Sequence, residues 1–289
     1  MAKGVPMPEL PEVETIAREL EPELMGKKFI GIEVYDPKLS LKRKQILSDS
    51  RVTSVTRIGK QVVITCSQKN RLFMHMGFHL RMSGRLFWSE QSLVVPKVLY
   101  KESATWQGGA STGHVRARLV FNKGELTFVD PRRFGTILLS ESESVFLTKG
   151  IDPIKDAFSF DSFLRLLGNS SQPIKTWLLR QDKVIGIGNI YACEMLFLSS
   201  IHPERKVSSL TPKEQKKLYQ VIPKVLSQAI KNCGTTFSDF QGAHGDIGSY
   251  QRYLKTYDRE GLPCKACKEP ILRMIQAQRS TYYCRTCQR

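Results

Sequence analysis

The sequence predicts an α+β protein of several domains: an N-terminal antiparallel β-sandwich with a leading helix, a helical domain, and a C-terminal β-hairpin that holds a metal. Three observations carry this prediction. Short segments rich in β-branched residues fill residues 28–140, helical periodicity follows to about residue 233, and four cysteines cluster near the C-terminal end. A chain of 289 residues is long enough for two domains that each have their own core.

The leading helix is predicted from Pro11 to near Gly26. Proline suits the first helical position because its missing N–H needs no partner there, and glycine supplies a stop signal. Apolar residues recur between them at helical spacing, namely Val13, Ile16, Leu20 and Leu24.

The β-domain is predicted from short, partly alternating segments that are separated by turn residues. The predicted strands are Phe29–Tyr35, Val52–Thr56, Gln61–Thr65, His114–Phe121, Glu125–Val129 and Thr136–Leu139. Asn122-Lys123-Gly124 is a hairpin signal, so the two strands that flank it should pair antiparallel. Residues 89–113 have few periodic cues and are predicted to form a long loop.

The second half of the chain predicts helices. They cover Phe160–Leu167, Ile174–Arg180, Ile190–Ser199 and a segment from Thr211 towards Cys233. Thr211-Pro212-Lys213-Glu214 is a capping box with proline in the first turn, and Gly234 should end that helix. Pro223 predicts a kink or break inside it.

These elements imply an order of domains along the chain. We expect a leader (1–7), a β-sandwich domain (8–140), a linker (141–157), a helical domain (158–257) and a metal module (258–289).

The net charge is the first indication of function. The chain has 44 Lys+Arg against 27 Asp+Glu, which gives +17, and so basic a protein attracts polyanions. The charge is spread along the chain instead of lying on one amphipathic helix or tail, which favours nucleic acid over a membrane surface. The sequence has no run of about 18 apolar residues and no apolar N-terminal region, so we expect a cytoplasmic protein.

The C-terminal cysteines have metal-ligand spacing. Cys264-x2-Cys267 and Cys284-x2-Cys287 are separated by 16 residues, which is typical of one tetrahedral Zn²⁺, with an iron–sulfur site as the alternative. Four protein ligands leave no open position, so the metal is structural. The segment Ile271–Tyr283 between the pairs should form a hairpin whose arginines grip phosphates. The remaining cysteines are expected to be small core residues: Cys66, Cys193 and Cys233.

Pro8 and Glu9 suggest a chemistry at the N-terminal end. If translation begins at Met7 and the methionine is removed, Pro8 becomes an N-terminal secondary amine, partly neutral at pH 7 and therefore nucleophilic. Attack on the anomeric carbon of a nucleoside would expel the base and give an iminium, while Glu9 could shuttle protons. The structural alternative is a Pro/Glu-rich segment that only leads into a helix.

Four motifs, in order, resemble those of the formamidopyrimidine-DNA glycosylase family, also called the 8-oxoguanine DNA glycosylase family. The motifs are Pro8-Glu9-Leu10-Pro11-Glu12-Val13-Glu14-Thr15, Asp130-Pro131-Arg132-Arg133-Phe134-Gly135, Gly186-Ile187-Gly188-Asn189-Ile190-Tyr191-Ala192 and Gln278-Arg279-Ser280-Thr281-Tyr282-Tyr283-Cys284. The resemblance implies a bifunctional glycosylase/lyase that excises oxidised purines from double-stranded DNA and cleaves abasic sites by β,δ-elimination. It also implies a helix–two-turn–helix element in the helical domain and one structural zinc.

The resemblance further implies a role for each matching residue. Pro8 would form the Schiff base, Glu9 would be a general acid/base, and Lys60 would transfer protons and contact a phosphate. The DNA contacts would come from five residues, namely Met82, His114, Arg132, Phe134 and Asn189. Of these, Met82, Arg132 and Phe134 would fill the void that the flipped nucleotide leaves. Arg279 would contact phosphates flanking the lesion and assist elimination.

Two other functions remain open at this point. One is an endonuclease VIII-like enzyme that prefers oxidised pyrimidines, which Leu10 and the long segment before the zinc module disfavour. The other is a non-catalytic binder of damaged or bent DNA, which applies if residues 1–7 are retained. We expect residues 237–250 to cover the flipped base, and we expect a monomer because the charge alone can hold DNA.

Overall fold

The computed structural model describes residues 7–39, 41, 49–68, 72–90, 114–155, 158–235, 242–245 and 247–289. The chain forms two compact units. The first comprises Met1–Leu147 with Cys233–Ser249, and the second comprises Thr148–Asn232 with Tyr250–Arg289. The domain boundaries given above stay a prediction.

Helix α1, Leu10–Leu24, opens the first unit one residue before the predicted start at Pro11. All four apolar residues predicted to share a face are fully buried. The backbone N–H of Glu9 donates to Oε2 of Glu12 at 2.9 Å, which satisfies a donor that the helix itself leaves without a partner. Gly26 ends the element with a φ of +74°, a conformation that glycine adopts without strain.

Two four-stranded antiparallel sheets form the predicted sandwich. Their strands are β1 (Phe29–Val34), β2 (Arg51–Ile58), β3 (Gln61–Ser67), β4 (Phe73–His79), β5 (Arg85–Ser89), β6 (Val115–Phe121), β7 (Glu125–Val129) and β8 (Thr136–Ser140). One sheet has the order β1-β6-β7-β5 and the other β2-β3-β4-β8. The hairpin predicted at Asn122–Gly124 joins β6 to β7, and Gly124 has a φ of +86°.

Strands β4 and β5 were absent from the sequence prediction. Each is buried at every interior position, so neither shows the apolar–polar alternation that marks a half-exposed strand. The predicted loop 89–113 lies almost wholly outside the described residues.

The core of the first unit lies between α1 and the inward faces of the sheets. Its aromatic rings meet edge to face, for example Phe29 with Phe121 at 5.7 Å and Phe78 with Phe128 at 6.1 Å between centroids. Burying one such side chain stabilises the fold by roughly 1.5–3 kcal/mol, so this core holds the loops at the sheet ends in place.

The second unit contains the predicted helices. They are α2 (Phe160–Leu167), α3 (Ile174–Leu178), α4 (Asn189–Ser199) and α5 (Pro212–Lys231). The capping box of α5 is confirmed, since Oγ1 of Thr211 accepts from the N–H of Glu214 at 3.3 Å and Glu214 accepts from the N–H of Thr211 at 2.8 Å. The helix continues through Pro223 without the break that was one of the two outcomes predicted there. Its buried face extends on both sides of the proline, from Leu218 to Ala229, and outweighs the cost of about 3 kcal/mol.

The C-terminal hairpin consists of β9 (Leu272–Gln276) and β10 (Arg279–Tyr283). Ala277 and Gln278 form its two-residue turn, and both have positive φ, as tight hairpin turns of the primed type require. Among the described residues, no helix is long and apolar enough to cross a membrane.

The isolated cysteines differ from the prediction at one position. Cys66 and Cys193 are buried, as expected. Cys233 is exposed, because it stands where the chain leaves the last turn of α5 with a φ of +56°.

Candidate active site and nucleic-acid interface

Pro8 and Glu9 directly precede α1, and both are buried. Glu9 is only 2% exposed, and its N–H is held by Glu12. The carboxylate of Glu12 reaches further, since its Oε1 accepts from the N–H of Thr235 at 2.7 Å and from the Thr235 hydroxyl at 2.9 Å. The start of α1 is therefore fixed both locally and by a segment 223 residues later in the chain.

Lys60 lies in the tight turn between β2 and β3, after Gly59 at a φ of +62°. It is 9% exposed. The buried side chain of Arg57 fixes this turn, because its Nη1 donates to the carbonyl of Gly59 at 3.1 Å and its Nε to Glu14 of α1 at 2.7 Å. Burial raises the pKa of Glu14, but the hydrogen bond and charge of Arg57 outweigh it, so the net shift is downward. The ion pair between Arg57 and Glu14 therefore joins α1 to the turn that contains Lys60.

Met82 and the Arg132–Phe134 segment lie on two turns that are joined by hydrogen bonds to one carboxylate. The Ser83 hydroxyl donates to Oδ1 of Asp130, and the same oxygen accepts from the N–H of Arg132 at 3.2 Å. The other oxygen of Asp130 accepts from the N–H of Gly135 at 2.6 Å, which closes the loop. The first unit thus brings together the turns that carry all three residues predicted to fill the void.

The exposure of these side chains argues against simple core packing. Phe134 is 54% exposed, and the guanidinium of Arg132 lies over its ring at 5.2 Å from the centroid. Leaving a large aromatic side chain in water loses about 1.5–3 kcal/mol of burial energy that a core position would supply. Met82 is half-buried. The arrangement suits a surface that becomes buried only when another molecule binds.

His114 is exposed and directly precedes β6, and its carbonyl accepts from the N–H of Asp130 at 2.9 Å. This contact places the histidine at the base of the same loop.

His79 was missed by the sequence analysis and stands between two predicted site turns. It ends β4, pairs with Gln61 beside Lys60, and accepts at Nδ1 from the N–H of Arg81 at 3.3 Å. Burial lowers its pKa to about 4, with further contributions from the positive charges of Arg81 and Lys60. The ring is therefore neutral at pH 7. Its signal in the sequence was its position three residues before Met82.

A second set of residues anchors the segment that follows α5. The carboxylate of Glu19 accepts from the N–H of Ala243 at 2.6 Å, and the carbonyl of Ala243 accepts from the N–H of Trp88 at 3.0 Å. Together with Thr235 on Glu12, these bonds attach both ends of the segment to α1 and β5. Of the residues expected to cover a flipped base, 237–241 and 246 lie outside the described residues.

In the second unit, Asn189 is the first residue of α4, and backbone N–H groups at the start of a helix lack intrahelical acceptors and can bind a phosphate. Its Nδ2 donates to the carbonyl of Ser280 at 2.8 Å, next to Arg279. Its Oδ1 accepts from Nζ of the buried Lys175 at 2.6 Å. Arg279 is exposed on β10. The second unit therefore holds the asparagine and the hairpin arginine on neighbouring, connected elements.

The four C-terminal cysteines converge as predicted. All their sulfur atoms lie within 4.8 Å of one another, with Sγ of Cys264 and Cys287 3.9 Å apart and Sγ of Cys267 and Cys284 3.4 Å apart. Zn–S bonds of about 2.3 Å at tetrahedral angles need sulfur separations of about 3.8 Å, so the set fits zinc. The cluster is the binding site of one structural zinc.

Three family models match successive parts of the chain. Residues 7–137 match the formamidopyrimidine-DNA glycosylase N-terminal domain, residues 149–241 the H2TH domain of the same glycosylase, and residues 261–289 the zinc finger found in FPG and IleRS. Curated relatives agree along the whole chain. Formamidopyrimidine-DNA glycosylase of Pelotomaculum thermopropionicum is 36% identical, and the match covers 98% of this chain and 99% of that protein. The glycosylase of Enterobacter sp. (strain 638) is also 36% identical, covering 98% of this chain and all of the relative.

Solved structures show the same fold. The MutM (Fpg) protein of Thermus thermophilus has a TM-score of 0.81 at 33% identity, covering 97% of this chain and 98% of that one. A mutant of the Lactococcus lactis FPG, solved in complex with Fapy-dG containing DNA, has a TM-score of 0.82 at 32% identity, covering 98% of this chain and 100% of that one. With the fold, the cysteine cluster and the four motifs all in agreement, this chain belongs to the formamidopyrimidine-DNA glycosylase family.

Proposed function

We propose that this chain, a DNA glycosylase for oxidised bases with lyase activity at abasic sites, works through the amine of Pro8 and prefers oxidised purines. The observation that supports DNA binding is the exposed pair of Phe134 and Arg132. The loop that carries this pair is closed by a hydrogen bond between its two ends. The purine preference draws support from the names of the relatives and from the L. lactis complex with Fapy-dG containing DNA. The L. lactis protein has also been solved with DNA containing an oxidised pyrimidine and with an abasic site.

The chemistry begins with the nitrogen lone pair of Pro8. Its attack on C1′ of the damaged nucleotide breaks the glycosidic bond, and the base leaves with that electron pair and takes up a proton. The nitrogen loses its proton, and the C1′–O4′ bond then breaks as O4′ takes up a proton, which leaves an iminium between the nitrogen and C1′. The iminium withdraws electrons from the opened sugar, so a proton is lost from C2′ and the 3′ phosphate leaves with the electrons of its C3′–O bond. Loss of a proton from C4′ then expels the 5′ phosphate in the same way. Glu9, the neighbouring carboxyl, supplies and removes protons in these steps.

Only a chain whose residues 1–7 have been removed has this lone pair, because an amide nitrogen is not nucleophilic. The match to the N-terminal family domain begins at residue 7, which supports Met7 as the start of the functional protein. Removal of that methionine then leaves Pro8 first. We propose this maturation as part of the function.

The void that the flipped nucleotide leaves is filled by side chains from the two hydrogen-bonded turns. Phe134 and Met82 are apolar wedges that unstack the step, while the guanidinium of Arg132 pairs with the base left opposite. Phosphates flanking the lesion are gripped by Lys60, His114, Asn189 and Arg279. The zinc holds the hairpin of Arg279 and takes no part in the chemical steps. We further propose that the protein acts in the cytoplasm as a monomer.

Borohydride trapping tests the proposal. Two preparations are compared, one proven by intact mass to begin at Pro8 and one that retains residues 1–7. Each is incubated with duplexes carrying 8-oxoguanine opposite cytosine or dihydrouracil opposite guanine. We expect a covalent adduct from the Pro8 preparation, formed faster with 8-oxoguanine, and none from the longer one, although both bind zinc and duplex equally.

The alternatives give different outcomes. Faster trapping with dihydrouracil would assign the endonuclease VIII-like activity instead. If the Pro8 preparation binds lesion DNA without any adduct, the protein is a binder of damaged DNA and the mechanism is wrong.

A further inference from the structure

In the loop Asp130–Gly135, here called the probing loop, the side chain of Arg133 is held by an ion pair, whereas the exposed side chains of Arg132 and Phe134 contact each other. Arg133 has a φ of +58°, and its guanidinium is bound by Asp36, with Nε 2.9 Å from Oδ2. Its neighbours Arg132 and Phe134 are exposed and contact each other, guanidinium over ring. The ion pair of Arg133 therefore fixes the loop backbone between two residues whose side chains face solvent.

Asp36 also binds a second arginine beneath the loop. Nε of Arg116 lies 2.6 Å from Oδ2 of Asp36, and Arg116 is 3% exposed on β6. From there Nη1 of Arg116 donates to the carbonyl of Gly135 at 2.6 Å and to Oδ2 of Asp130 at 3.3 Å. One carboxylate outside the loop thus fixes its middle through Arg133 and its end through Arg116.

The charges of this cluster balance. Two carboxylates, Asp36 and Asp130, face two guanidinium groups, Arg116 and Arg133. The hydrogen bond from Arg133 holds the pKa of Asp36 well below its usual range, although burial opposes the shift. A buried ion cluster is costly unless its partners are all present, so removing one carboxylate leaves an uncompensated guanidinium under the loop.

We infer that Asp36 and Arg116 are positioning residues that hold the probing loop in its DNA-binding conformation before DNA arrives. This inference rests on the proposed roles of Arg132 and Phe134. Side chains that are ordered in advance lose less conformational freedom when DNA binds. Asp36 and Arg116 are themselves buried beneath the loop, so their effect should be confined to steps that need the void to be filled.

Asp36→Asn tests the inference, with Glu125→Gln as the matched control. Glu125 is equally buried and also binds an arginine of β6, Arg118 at 3.1 Å, but that arginine pairs with Glu33 of β1 instead of with the probing loop. Both variants are made in the chain that begins at Pro8. The measurements are the Kd for a duplex with a tetrahydrofuran abasic analogue opposite cytosine or adenine, and borohydride trapping on a single-stranded abasic oligonucleotide.

A single strand has no opposite base and no void, so it reports the amine chemistry alone. For Asp36→Asn we expect about tenfold weaker duplex binding, a smaller preference for cytosine over adenine, and single-strand trapping within about twofold of the wild type. Glu125→Gln should match the wild type in all three. Wild-type duplex affinity and opposite-base preference in Asp36→Asn would overturn the inference, whereas failure of the wild type to form an adduct with the single-stranded abasic oligonucleotide would overturn the proposed chemistry.

A second variant guards against misfolding. If circular dichroism shows that Asp36→Asn is unfolded, Arg133→Gln replaces it, because that side chain is 45% exposed and its loss does not open the core. The same selective loss of duplex binding is expected. Unchanged duplex binding in a folded Arg133→Gln protein would contradict the role of Asp36.

Discussion

The ammonium of Lys175 lies 2.6 Å from Oδ1 of Asn189, although Lys175 is only 1% exposed. A buried ammonium needs acceptors, and Oγ1 of Thr281 at 2.7 Å provides another. Because Oδ1 of Asn189 accepts, the amide nitrogen faces the opposite way and donates to the carbonyl of Ser280. Lys175, Asn189 and strand β10 therefore form one hydrogen-bonded network, which holds the asparagine beside Arg279.

Lys175→Met should weaken binding to lesion duplex by about tenfold. A hydrogen bond to a charged group stabilises the folded arrangement by roughly 1.5–3 kcal/mol, and the variant loses those that hold the asparagine in place. Methionine fills a similar volume but leaves Asn189 and Thr281 without their donor. Lys217→Met is the control, since Lys217 is exposed and donates to Ser200 at 2.9 Å. Fluorescence anisotropy measures both affinities. Equal losses would mean that only the net charge matters.

Loss of zinc should disturb the same hydrogen-bonded network through strand β10, which belongs to the zinc hairpin. Cys264→Ser is expected to lower the zinc content from one ion per chain to near zero and to weaken duplex binding strongly, because structural zinc contributes folding energy. The hairpin would no longer hold Ser280 and Arg279 near α4. Atomic absorption and anisotropy measure the two effects. Cys233→Ser, which alters an exposed cysteine outside the cluster, should change neither, and unaltered zinc in Cys264→Ser would refute the ligand assignment.

Local signals made much of the fold predictable. The spacing of apolar residues in α1, the turn at Gly124, the capping box at Thr211 and the paired CxxC motifs each depend on a few neighbouring residues. Strand β4 is different, because its buried run carries no period that separates a strand from a helix. The exposure of Cys233 depends on where α5 ends in space, which its sequence neighbourhood does not state.

The candidate site divides in the same way. Residues inside motifs, such as Phe134 and Asn189, could be named from the resemblance. The residues that hold them could not, because Asp36 and Arg116 are 80 positions apart and Lys175 and Thr281 are 106 apart. An isolated aspartate or lysine has no local pattern that indicates its partner, so only the folded chain reveals these contacts.

Gly77→Ala should destabilise the first unit by about 1–3 kcal/mol through overpacking. A Cβ at this position of β4 would press against the ring of Phe146, which is itself 1% exposed and cannot move into solvent freely. Gly31→Ala in β1 is the matched control, because a Cβ there meets nothing within 4 Å. Urea unfolding measures both. Equal stability of the two variants would show that Phe146 repacks without cost.

His79 should make stability fall as the solution is acidified. Burial, with the charges of Arg81 and Lys60, lowers its pKa in the folded chain to about 4, against 6.5 as the ordinary value. The unfolded chain therefore takes up a proton at a higher pH than the folded one, so the stabilising effect of the neutral ring is complete above about pH 6.5 and is lost towards pH 4.

His79→Gln cannot titrate, while its amide can still accept from the N–H of Arg81. The Tm of the wild type should drop more steeply than that of His79→Gln between about pH 7 and pH 5, as measured by thermal unfolding. Parallel curves would mean that the histidine titrates alike in the folded and the unfolded chain.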